Sequence, residues 1–198
     1  MYLLLLACAC LCATEIQGQY CALTSAATEG PYYKAGAPFR TGNAICEWQR
    51  VANGTQVMVY GRVYSSGCRS GQQAILDVWS ANPSGIYSPK RGSDYTCRGK
   101  VATDVNGNYQ FLTTVPGRYR QGNGYRPSHI HFKVNRVNRT NPANRATLTT
   151  QMYFQNDPYL QNDACNYQLC HAGDPTLTFP LQYQQGQSYM LKFDIVLR

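Results

Sequence analysis

Apolar positions in this chain recur mainly every second residue. Val57, Val59, Gly61 and Val63 alternate with Met58, Tyr60, Arg62 and Tyr64. That period lets a strand pack one face and leave the other half-exposed. Ala74 to Trp79 is a short, mostly apolar run suited to a buried strand, and a Pro/Gly-rich loop from Ser80 to Asp94 follows it. Gly99 to Asp104 leads into Asn106-Gly107, a strong hairpin signal. The return strand alternates Tyr109, Phe111 and Thr113 with Gln110 and Leu112, and Pro116-Gly117 ends it. Further strands are predicted around Ile130 to Val134, over Thr147 to Phe154 and over Tyr189 to Leu197. Residues 19–55 show no helical apolar period and read as irregular. The expectation is an all-β, antiparallel β-sandwich of about seven to nine strands with long irregular loops, in one domain over residues 19–198.

The first residues break this pattern. Leu3 to Ala13 is an apolar run of eleven residues, too short to span a bilayer and suited to the core of a signal peptide. Gly18 is the favoured cleavage point, so residues 1–18 are expected to be removed and the protein secreted. No later stretch is apolar enough for a membrane anchor. Of nine cysteines, Cys8, Cys10 and Cys12 would leave with that segment. Cys21, Cys46, Cys68, Cys97, Cys165 and Cys170 remain, an even set that reads as a disulfide framework. The short spacing of Cys165 and Cys170 permits a local bridge. Cys68 and Cys97 bracket the Tyr87 region and are a second candidate pair. Two sequons, at Asn53 and Asn138, suit the same route. The formal net charge of +8 is spread without any Lys/Arg run, so no nucleic-acid stripe is expected.

Chemistry concentrates between Tyr119 and Phe132, which holds two of the three histidines. His129 and His131 are two apart in a strand-like run, so both imidazoles project to one face and Ile130 to the other. That is a chelating geometry. Tyr119 lies ten residues before His129, Arg126 directly precedes Pro127, and Tyr87 lies in the Ser80–Asp94 loop. His171 reads as a surface histidine.

Five segments resemble the intradiol ring-cleavage dioxygenases. They are Thr28-Glu29-Gly30-Pro31-Tyr32-Tyr33; Leu76 to Tyr87; Thr103-Asp104-Val105-Asn106-Gly107-Asn108-Tyr109-Gln110-Phe111; Pro116-Gly117-Arg118-Tyr119 with Tyr125-Arg126-Pro127-Ser128-His129-Ile130-His131-Phe132; and Thr150-Gln151-Met152-Tyr153-Phe154. The resemblance implies one non-haem Fe(III) held by Tyr87, Tyr119, His129 and His131. Ferric iron is a hard cation that anionic phenolate oxygens stabilise, and imidazole also suits iron. In the sequence, no carboxylate sits near the histidine strand to complete a site of the Fe(II) type.

The resemblance also implies the reaction. A catechol binds the iron as a dianion, Tyr119 is the ligand that departs, and O2 opens the ring between the hydroxylated carbons to give a muconate-type diacid. Arg126 is implied to stabilise negative charge on the ring. Tyr32 and Tyr33 are implied to lie near the pocket mouth as substrate-binding residues. The larger members' N-terminal helical segment has no counterpart, so a monomer is expected. The competing reading is a non-catalytic β-sandwich that binds metal or phenols, which oxygen uptake with catechol would separate.

Overall fold

The computed structural model describes residues 21–46, 54–137, 148–183 and 189–198. The expected signal segment and the sequon asparagines Asn53 and Asn138 lie outside them. The alternating segments form strands at the expected places: β1 (Gln56–Tyr64), β2 (Ala74–Ser80), β3 (Arg98–Ala102) and β4 (Asn108–Thr114). A short ribbon follows, β5 (Tyr119–Gln121) and β6 (Gly124–Arg126), then β7 (His129–Arg136) and β8 (Leu148–Phe154). One helical turn, α1 (Tyr167–Cys170), precedes β9 (Thr178–Phe179), β10 (Gln182–Tyr183), β11 (Tyr189–Lys192) and β12 (Ile195–Val196).

Two five-stranded sheets face each other. One runs β3-β2-β7-β8-β9; the other is built on β1. Val57, Val59, Phe111, Leu191 and Phe193 on one side meet Leu76, Val78, Ile130, Phe132 and Met152 on the other, all fully buried. Phe132 joins the layers, with ring centroids 6.0 Å from Phe111 and 5.2 Å from Phe193. Each such side chain contributes about 1.5–3 kcal/mol through burial.

Pairing is antiparallel except at three places. β1 takes both β11 and β12 in parallel along one edge, and β9 is parallel to β8. The closing strand is split in two at Phe193-Asp194. There the Phe193 carbonyl crosses over Gly61, where a Cβ would sit 1.9 Å from it, and Asp194 accepts from the Arg62 N–H at 3.0 Å.

Three disulfides join Cys21–Cys68, Cys46–Cys97 and Cys165–Cys170. The local bridge is as expected, but the Cys68–Cys97 pairing is corrected. Cys97 lies beside Ser80 at the end of β2, where its carbonyl accepts from the Ser80 N–H at 3.1 Å. Cys68 lies before the start of β2, so a strand of about 20 Å separates the two. A disulfide cannot reach across more than about 7 Å between Cα atoms.

The register positions the site. His131 pairs with Trp79 on one side and Gln151 on the other, and Trp79 pairs with Arg98. His129 pairs with Tyr153. These residues all face away from the sandwich core. The N-terminal segment covers them: Thr28 O accepts from Gln151 Nε2 at 2.9 Å, and Tyr32 O from Arg98 at 2.7 Å.

Candidate metal centre

Tyr87 reaches this face because the loop after β2 turns back tightly. Asn82 Oδ1 accepts from the N–H groups of Ser84 and Ile86, each at 3.0 Å. Gly85 adopts a φ of +78°, and a Cβ there would lie 2.3 Å from the Arg118 carbonyl. Only glycine lets this turn pack against the segment that carries Tyr119. Asp157 clamps the other side. Its Oδ2 accepts from Arg118 Nε at 2.7 Å and from the Ser128 N–H at 3.0 Å. The starts of β5 and β7, and with them Tyr119 and His129, are thereby held together.

The four candidate ligands converge. Tyr87 Oη lies 3.4 Å from His129 Nε2. Ring centroids are 5.5 Å apart for Tyr87 and Tyr119, 5.7 Å for Tyr119 and His129, and 4.8 Å for His129 and His131. Both histidines are buried, and burial holds both imidazoles well below their usual range, hence neutral. His129 Nδ1 is 2.6 Å from the Pro127 carbonyl, which can only accept. The proton therefore sits on Nδ1, and Nε2 keeps its lone pair toward the cluster. His131 is oriented differently, by stacking on Trp79 at 4.8 Å.

The donor set fits ferric iron. Burial holds the Tyr87 hydroxyl well above the usual phenol range, and the neighbouring Tyr119 adds to this. Tyr119 is also raised by burial, with Arg126 opposing. Two adjacent buried phenols ionise only beside concentrated positive charge, which a trivalent cation supplies. Among the described residues no group of three or more His, Cys, Asp or Glu is placed to hold a metal ion, so a metal at this cluster would draw its oxygens from the two phenols. Carboxylates do come close to the histidine strand, contrary to expectation, but each is engaged elsewhere: Asp157 as above, Asp163 with Arg126, Asp77 with the Tyr33 hydroxyl and Glu29 with Lys133.

A family model described as a dioxygenase matches residues 28–198. The chain belongs to the intradiol ring-cleavage dioxygenases. It is 34% identical over 158 residues to the protocatechuate 3,4-dioxygenase beta chain of Burkholderia cepacia, covering 73% of this chain and 65% of that protein. It is 31% identical over 193 residues to a chlorocatechol 1,2-dioxygenase of Pseudomonas putida, covering 89% and 69%. Its fold matches the dioxygenase domain of a dioxygenase–carbohydrate-binding fusion from Streptomyces sp. SirexAA-E. That match has a TM-score of 0.70 and 29% identity, and covers 89% of this chain and 98% of the other.

In this intradiol dioxygenase chain Arg126 is buried, not a surface arginine. Its Nε donates to Asp163 Oδ1 at 2.7 Å and its Nη2 to Gln151 Oε1 at 2.8 Å. Its Nη1 lies 3.3 Å from Tyr119 Oη. Tyr32 borders the cluster, stacked on Tyr87 at 4.4 Å and edge-on to Tyr119 at 5.7 Å. Tyr33 diverges from it, as consecutive side chains of a non-helical segment do. Its hydroxyl donates to Asp77 at 3.1 Å, its ring packs edge-on against Trp79 at 4.8 Å, and it lines a cavity of about 380 Å³ with Phe39, Lys100 and Lys133. His171 caps α1 in a left-handed conformation, partly exposed, and does not join the cluster.

Sequence reasoning left Gln151, Tyr153, Asp163 and Arg98 without roles. Gln151 and Tyr153 lie in a segment already matched to the family, and alternation puts both on one face. Asp163 sits in a loop with no period to read. Arg98 is fully buried; it donates to Ser88 Oγ and to the Tyr32 carbonyl, each at 2.7 Å, and sits 5.7 Å from the Tyr87 ring.

Proposed function

We propose that this protein is an Fe(III)-dependent intradiol dioxygenase that opens small catecholic rings between their two hydroxylated carbons, giving muconate-type diacids. The observation that carries this is the convergence of Tyr87, Tyr119, His129 and His131 with the Arg126 guanidinium 3.3 Å from Tyr119 Oη. Two neutral imidazoles and two phenol oxygens would hold one iron per chain. When bound, Fe(III) supplies the Lewis acidity that keeps a catechol doubly deprotonated and draws electron density from its ring, so that the ring reacts with O2.

The chain's own residues supply the rest. With iron bound, the Tyr119 phenolate would take the proton of one catechol hydroxyl and swing aside, the second proton passing to solvent hydroxide, and Arg126 Nη1 is in place to donate to Tyr119 Oη. Tyr87 stays, held beneath the stacked Tyr32 ring. The guanidinium beside Tyr119 would offset negative charge as the ring is attacked, and a fixed donor of this kind is worth about 3 kcal/mol. Tyr32 covers one side of the cluster, stacked on Tyr87 and edge-on to Tyr119.

Purified protein should carry about one iron per chain and absorb broadly in the visible, because phenolate-to-Fe(III) charge transfer colours such sites. Consumption of O2 with catechol should track iron content. A folded, active, iron-free and colourless preparation would overturn the reading.

We also propose that the protein is secreted. Support comes from the leader-like first residues and from the three disulfides, which persist in oxidising compartments. Extracellular protein should lack residues 1–18, and its six remaining cysteines should be unreactive to thiol reagents when unfolded without reductant. Mostly free thiols would contradict this.

A further inference from the structure

We infer that Asp163, held in place by the Cys165–Cys170 bridge, is the positioning residue that aims the Arg126 guanidinium at Tyr119 and the substrate, so that closure of this small loop sets turnover. The inference rests on the dioxygenase reading of the site.

The guanidinium is a rigid planar fork, so fixing two corners fixes the third. One corner is Nε, which donates to Asp163 Oδ1 at 2.7 Å. The second is Nη2, which donates to Gln151 Oε1 at 2.8 Å and reaches Tyr153 Oη at 3.3 Å. The third, Nη1, is then left pointing at Tyr119 Oη.

The disulfide loop braces both anchors. The Cys165 N–H donates to the same Asp163 Oδ1 at 2.9 Å. The Ala164 N–H donates to the Tyr125 carbonyl at 3.0 Å, so residues 163–165 lie along the strand that ends in Arg126. At the other end of the bridge, Cys170 O accepts from Tyr153 Oη at 2.7 Å, and Cys170 Sγ lies 3.8 Å from Gln151 Nε2. The bridge thus closes a circuit around the guanidinium, with Asp163 on one side and Gln151 and Tyr153 on the other.

Two observations set this apart from plain structural support. Asp163 Oδ2 is buried without a hydrogen-bond partner, so the carboxylate has left water to hold Arg126 and little else. Buried ion pairs of this kind are weak contributors to stability, and apolar residues serve that purpose as well. The Cys165–Cys170 bridge also spans only 5 residues, against 47 and 51 for the others. A bridge closing so short a loop constrains the unfolded chain least, so its effect falls on the site it borders.

The test uses iron-loaded Asp163→Ala, Asp163→Asn and Cys165→Ala/Cys170→Ala proteins. Each is assayed for iron content, visible absorption, kcat and KM with catechol, and amide hydrogen exchange over residues 119–128. Asp163→Ala should lower kcat by about 10- to 100-fold with little change in KM or in colour, the range for losing a partner that orients a site residue. Asp163→Asn keeps an oxygen for both donors and should stay within a few-fold of wild type. The cysteine variant should fall with Asp163→Ala and exchange faster at 124–126. If Asp163→Ala cannot be recovered folded, the cysteine variant decides alone. Wild-type kcat in either Asp163→Ala or the cysteine variant overturns the inference. An inactive wild-type protein sinks the dioxygenase reading instead. In that case the exchange measurement decides, and unchanged exchange at 124–126 in both variants counts against the circuit.

Discussion

His129→Ala protein should be folded, colourless, without tightly held iron and without measurable oxygen uptake on catechol. The expectation follows from what His129 alone provides. Its Nε2 faces Tyr87 Oη at 3.4 Å, and its Nδ1–H is tied to the Pro127 carbonyl at 2.6 Å. No other described side chain offers a replacement nitrogen there, because the remaining described histidine, His171, sits at the end of α1 with its ring beside Tyr167. His171→Asn is the control. Asparagine tolerates the left-handed backbone at φ +53°, so colour, iron and turnover should match wild type. Metal analysis and O2 uptake on the two variants check the pair. Full iron and activity in His129→Ala would remove this residue from the metal site.

Arg126→Ala should separate catalysis from metal binding. All four candidate ligands remain, so iron and colour should persist, and anaerobic catechol should still shift the visible band. Turnover should fall by a factor of about 100 or more, as when one fixed charge-stabilising donor is removed. The loss should lie mainly in kcat if the interaction strengthens in the transition state. The structure adds a second effect. Asp163 is paired with Arg126 with both side chains buried, at 2% and 5% exposure. Deleting one partner strands the other, at about 3–5 kcal/mol. Arg126→Ala should therefore melt earlier, and Arg126→Ala/Asp163→Asn should recover part of that stability without recovering turnover. Arg126→Lys should rescue little, because an ammonium cannot fill three corners of a fork at once. Turnover per iron near the wild-type value in Arg126→Ala would show that the role assigned to this residue is wrong.

What was legible in the chain follows from the range of the signal. Alternation at Val57–Tyr64 and Asn108–Thr114 is local, and those strands stand where the pattern puts them. His129 and His131 share a face for the same local reason. Direction is not local: nothing in Tyr189–Val196 says that it runs parallel to β1, because an apolar period is the same in either sense. Register is not local either. Gln151 opposite His131 and Tyr153 opposite His129 depend on how β7 and β8 align. The Cys46–Cys97 pairing depends on residues 38–46 lying along β3 and β4, where Lys100 N–H donates to Pro38 O and Ile45 N–H to Leu112 O, both at 2.8 Å. Tyr32 and Tyr33 are equivalent in sequence, and only the chain's path over Trp79 sends one to the cluster and the other to Asp77.

Under the proposed function, iron held by this cluster opens a catechol ring by inserting both atoms of one O2 between the hydroxylated carbons. The direct measurement is mass analysis of the product formed from catechol under 18O2 by iron-loaded protein. The expected product is a muconate-type diacid carrying two labelled oxygens, with none formed by His129→Ala. A quinone without label, or a ring opened outside the two hydroxylated carbons, would contradict it.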